Sequence, residues 1–103
     1  MIITVNEETA DIFREFSKEY PDYMVCVERK SLIGINEVVE FLVNISPELI
    51  TALTTFLIAK YKYSQREIII KKDDIMIKLN NINITPEKVM ELLNQLEKKR
   101  KKK

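Results

Sequence analysis

The sequence predicts a single α+β domain, and three observations carry that reading. Segments with apolar residues at helical spacing alternate along the chain with short β-branched runs. Two triplets, Ser46-Pro47-Glu48 and Thr85-Pro86-Glu87, have the form of helix starts. A length of 103 residues with 46% hydrophobic content suits one small core. The expected order is β-α-β-α-α-β-β-α, with a mixed sheet of about four strands packed against helices.

Ile2-Ile3-Thr4-Val5 reads as a short strand, and Asn6 as the cap of a helix with Glu7 and Glu8 in its positive first turn. Ala10, Phe13, Phe16 and Tyr20, together with Ile12, give that helix one apolar face, which Pro21 and Asp22 end. Residues 23–29 read as a second strand, so a parallel βαβ crossover is expected. Residues 30–34 form a loop around the one glycine, Gly34. Ile35, Val38, Val39, Leu42 and Ile45 then fit a helix of about ten residues.

After Ser46 a long helix runs to about Tyr63. Its apolar positions leave only a narrow polar stripe of Thr51, Thr55 and Lys62, as expected of a central, mostly buried helix. Residues 66–71 and 75–80 read as a hairpin across Lys72-Asp73-Asp74, a turn without glycine or asparagine. Val89, Leu92, Leu93 and Leu96 define the apolar face of a last helix that merges into a basic tail.

Charge divides the chain. Six of its 17 Lys and Arg are consecutive: Lys98, Lys99, Arg100, Lys101, Lys102 and Lys103. Residues 1–97 keep 11 cations against 16 acids, a net of −5 beneath an overall +1. The expected organisation is one domain over 1–97 and a basic tail over 98–103. The lone Cys26 fits a reducing compartment. Met1 is followed by Ile-Ile-Thr-Val and acids rather than by a signal peptide. The most apolar stretch, residues 49–59, falls short of the roughly 20 residues a membrane span needs. A cytoplasmic protein with no membrane contact is expected.

The composition argues against catalysis. There is no histidine, so Cys26, between Val25 and Val27, has no such base and reads as a packing residue. A zinc site has too few Cys and His ligands, and Asp73-Asp74 reads as a solvated turn rather than a magnesium site. One glycine supports neither a P-loop nor a dinucleotide fingerprint. Glu37 with Glu40, and Glu87 with Glu91, share helix faces in this reading, as solvated helices ordinarily do. No catalytic residue, cofactor or metal is expected.

Candidate interaction residues remain. Tyr61 and Tyr63 end the long helix, where tyrosine serves either as a core edge or as a binding anchor. The run from Lys98 to Lys103 suits an acidic protein or, through counterion release, phosphates; no aromatic residue is interleaved with it for base stacking. Ile68, Ile70, Ile75 and Ile77 offer strand surface for a homodimer if the hairpin leaves an open edge.

From Leu32 to Leu96 the chain resembles the bacterial effector-associated constant component family, first type. Ile33-Gly34-Ile35, Leu53-Thr54-Thr55-Phe56-Leu57 and the stretch 66–79 carry the resemblance. Family members carry Trp-Leu where this chain has Phe56-Leu57, and a glycine where the turn here is Lys72-Asp73-Asp74. The resemblance implies a helix after Gly34, a long helix, a hairpin and a terminal helix. It also implies a non-enzymatic component of bacterial conflict systems whose partner is another protein. The expected function is therefore an adaptor, regulatory or inhibitor component of a bacterial or phage conflict or defence system, with inhibitors of nucleic-acid-processing enzymes in the same class. The alternative is a small nucleic-acid-binding protein using the tail and Lys88.

Overall fold

The computed structural model of the chain describes residues 1–33 and 36–98. Among these residues, five strands and three α-helices follow one another: β1 (Ile2–Asn6), α1 (Asp11–Glu19), β2 (Met24–Ile33), β3 (Asn36–Val43), α2 (Pro47–Ser64), β4 (Ile68–Lys72), β5 (Ile75–Leu79) and α3 (Pro86–Leu96). A single 3-10 turn, Glu7–Thr9, joins β1 to α1. The domain mixes helices and strands, as expected, but three elements differ from the sequence reading.

The first difference is β3. Where a helix was expected over residues 35–45, Asn36–Val43 form a strand, in the segment after Gly34 that the family resemblance implied to be helical; residues 34 and 35 lie outside the described residues. Apolar residues at 38, 39, 42 and 45 satisfy helical spacing, yet Val38, Val39, Phe41 and Val43 are residue types that strands favour. Long-range pairing decides between the two. β3 lies between β1 and β2 and is antiparallel to both. β1 and β2 consequently run parallel, as the βαβ reading expected, but with β3 inserted between them instead of in direct contact.

The second difference is the sheet. The expected mixed sheet of about four strands is instead a three-stranded sheet, β1-β3-β2, and a separate hairpin, β4-β5, each antiparallel throughout. Side chains, not a backbone ladder, tie the hairpin to the end of β1 and to the 3-10 turn that follows it. The Asp73 N–H donates to Asn6 Oδ1 at 3.1 Å, and the Lys71 N–H donates to Thr9 Oγ1 at 2.9 Å. Asn6 was expected to cap a helix; it ends β1 and holds the hairpin turn. That two-residue turn dispenses with glycine because Asp73 takes a left-handed φ of 53°, a conformation aspartate tolerates.

The third difference lies at the C-terminal end. α3 stops at Leu96 rather than merging into the basic run. Glu97 bridges to Ile3, and the Lys98 N–H donates to the Ile2 carbonyl at 2.8 Å, so this segment flanks the outer edge of β1. Lys72 Nζ donates to the Leu96 and Glu97 carbonyls at 3.0 and 2.7 Å, placing a cation from the hairpin at the negative end of α3.

Both cap triplets behave as expected. Ser46 Oγ accepts from the Leu49 N–H and Thr85 Oγ1 from the Lys88 N–H, each at 3.1 Å, with proline in the first turn. α2 closes with Gln65 in the left-handed region, its N–H on the Tyr61 carbonyl. The core joins the inner face of the sheet (Ile3, Val5, Val39, Phe41, Val43) to Phe13 and Phe16 of α1, Leu49, Leu53 and Leu57 of α2, and the apolar face of α3. Each such side chain, fully buried, contributes about 1.5–3 kcal/mol. Phe41 meets Phe13 with ring centroids 5.7 Å apart.

Candidate functional site

Alternation along the strands sorts the sheet residues onto two faces. Ile3, Val5, Val39 and Phe41 point inward. Ile2, Thr4, Leu42 and Glu40 point outward, with Val25 and Val27 beside them on β2. The register aligns three aliphatic residues across the sheet: Ile2 opposite Leu42, and Leu42 opposite Val25. All three are exposed, at 38%, 50% and 48% respectively. Val25 and Leu42 also line a surface groove of about 300 Å³ with Asp22, Tyr23, Val43 and Asn44. An apolar row crossing three adjacent strands is roughly 10 Å wide from the strand spacing.

One register step away the same face changes character. Glu40 stands opposite Thr4 on one side and Val27 on the other. Its side chain is only 9% exposed, and it pairs with Lys98 Nζ at 2.9 Å. A carboxylate this sheltered needs a partner to offset its lost hydration. Lys98 is thus held twice, by its backbone on Ile2 and by its side chain on Glu40.

A second concavity, about 330 Å³, lies between α1 and α2 and is lined by Glu15, Glu19, Tyr20, Phe56, Lys60 and Tyr63, among others. Lys60 ion-pairs with Glu15 and sits 5.9 Å from the Phe56 ring centroid. Phe16 stacks on Tyr20, whose ring in turn neighbours that of Tyr23. The two tyrosines singled out from sequence separate here. Tyr61 packs against the core, whereas Tyr63 is 91% exposed at the mouth of the groove.

The remaining candidates divide as follows. Lys98 is described; Lys99, Arg100, Lys101, Lys102 and Lys103 lie outside the described residues. Lys88 pairs with Glu91 at 3.1 Å. Glu37 and Glu40 lie on a strand and not on a shared helix face. Cys26 is half-buried opposite Phe41, against the core. Ile70 and Ile77 are core residues and Ile68 packs against the core, so these three side chains do not form the free surface suggested for a homodimer; Ile75 is exposed. Arg14 is held above its ordinary pKa, chiefly by its hydrogen bond to Glu7 and then by that to Asp11.

Among the described residues no group of three or more His, Cys, Asp or Glu is placed to hold a metal ion, and no helix is long and apolar enough to cross a membrane. Sequence reasoning missed the row of Ile2, Val25 and Leu42 because only the strand register brings them together. A scan against protein-family models finds no match to this chain, and searches of curated proteins and of solved structures find none either.

Proposed function

We propose that this chain is a non-catalytic protein-interaction component, an adaptor, regulatory or inhibitor module, that docks its partner on the outer face of the three-stranded sheet. The observation that carries the reading is the exposed row Ile2–Leu42–Val25. Contiguous aliphatic surface of this kind favours a partner that removes it from water. The rigid sheet beneath it presents the three side chains at fixed spacing, which suits recognition. The setting in a bacterial or phage conflict system rests on the family resemblance alone.

The test is an affinity pull-down from the native host lysate, with and without nuclease, using the wild-type chain and Leu42→Asp. One stoichiometric protein that survives nuclease and is lost with Leu42→Asp is the expected result. Recovery only without nuclease would shift the reading to nucleic acid. Turnover of a defined substrate that a point mutation abolishes would overturn the non-catalytic reading.

A further inference from the structure

We propose that the groove between α1 and α2 is a second docking site, which takes an arginine side chain projecting from a partner polypeptide. It uses none of the residues of the sheet face and stands independently of that docking surface.

The groove already holds one cation of this chain. Lys60 Nζ pairs with Glu15 and lies 5.9 Å from the centroid of the Phe56 ring. A carboxylate attracts such a cation by its charge, and an aromatic ring attracts it by the negative potential over its face. The rest of the lining repeats this composition. Glu19 is a second carboxylate, and Tyr20 and Tyr63 are further rings. Among the described residues Glu19 has no ion partner.

The charge balance selects a cation as the occupant. Two carboxylates against the single ammonium of Lys60 leave the lining net negative. Glu19 is also the last residue of α1, so its charge adds to the negative end of that helix dipole. Lys18 and Lys62, the cations in the last turns of the two helices, are exposed and do not line the groove.

Shape and chemistry narrow the cation to arginine. A volume of about 330 Å³ lies at the small end of ligand clefts, roughly 300–1,000 Å³, and suits one long side chain rather than a whole helix. A guanidinium is planar, lies flat on aromatic rings and presents a fork of N–H donors to a carboxylate, none of which an ammonium does. Tyr63, 91% exposed at the mouth of the groove, offers a ring that contributes little to the core of this chain.

Other occupants meet these residues less well. An acidic peptide or a nucleic-acid phosphate would be repelled by Glu19. An apolar segment would cover Glu19 without giving it a partner. A metal ion would lack ligands, since among the described residues no group of three or more His, Cys, Asp or Glu is placed to hold one.

The experiment titrates the full chain with four probes, read by amide chemical shifts: a peptide alternating Arg with Gly, the same peptide with Lys or with Glu in place of Arg, and free argininamide. It compares the wild-type chain with Glu19→Gln, with Tyr63→Ala, and with Asp74→Asn, which removes an equal charge from the hairpin turn. Amide shifts of the free proteins verify that each variant is folded. The Arg–Gly peptide should bind best and shift the amides of Glu19, Tyr20 and Tyr63. Glu19→Gln and Tyr63→Ala should each weaken it about fivefold, and Asp74→Asn should leave it unchanged. Added salt should shrink the difference made by Glu19→Gln more than that made by Tyr63→Ala. Absence of binding, equal binding of the Lys–Gly peptide, or equal loss with Asp74→Asn would overturn the proposal. Argininamide binding as tightly as the peptide would overturn the polypeptide source. A dimer detected by light scattering and dissolved by Glu19→Gln would overturn the separate partner in favour of a second copy.

Discussion

The two faces of the three-stranded sheet use nearly the same residues for different ends. Inside, Ile3 and Phe41 are fully buried against Phe13 and the helices; outside, one residue further along the same strands, Ile2 and Leu42 stand in solvent. Aliphatic character alone therefore does not mark a core residue in this protein. A side chain of the inner face contributes its whole transfer free energy to folding, whereas one of the outer face contributes only part of it until a partner covers it. Glu40 falls between these cases: it points outward, yet it is sheltered and matched by a cation.

Substitutions can break or sharpen this contrast. Phe41→Ala should cost about 3–5 kcal/mol, since it removes a fully buried ring and leaves a cavity beside Phe13; urea unfolding would register the loss. Lys98→Ala should cost about 1–2 kcal/mol, because Glu40 loses its partner while Lys98 itself is half exposed. Hydrogen exchange should then quicken at the position 98 amide. Ser46→Ala, at the joint between β3 and α2, provides a local yardstick of about 1 kcal/mol, measurable as a lower denaturation midpoint. Leu42→Ser should change stability by no more than about 0.5 kcal/mol. If Leu42→Ser proved as damaging as Phe41→Ala, the two faces would not differ and the outer row would belong to the core.

The second half of the fold was the more legible. Ser46 and Thr85 announce their helices through side chains that bond backbone groups three residues away, and such local signals survive in sequence. The hairpin was legible too, although Asp73 had to supply the left-handed turn that no glycine provides. β3 was not. As the middle strand it carries apolar residues on both faces, which blurs the alternation that marks a half-buried strand and mimics helical spacing. Asn6 was misread for a related reason: its actual partner, the Asp73 amide, lies 67 positions away. The candidate row depends on residues 2, 25 and 42 being neighbours, which only pairing establishes.

The flanking of β1 by Glu97 and Lys98 has a consequence for how the chain acquires its structure. β1, the first of the described strands, finds one of its two neighbours in the segment that follows α3. Its other neighbour, β3, arrives only after α1 and β2 have been made. Contacts spanning most of the chain close large loops and slow the search for the native state. Until residue 98 has left the ribosome, β1 offers an unsatisfied edge to whatever strand it meets. Chains truncated before α3 should therefore aggregate more readily than chains that contain residues 97 and 98, whose pairing with Ile3 and Ile2 protects that edge.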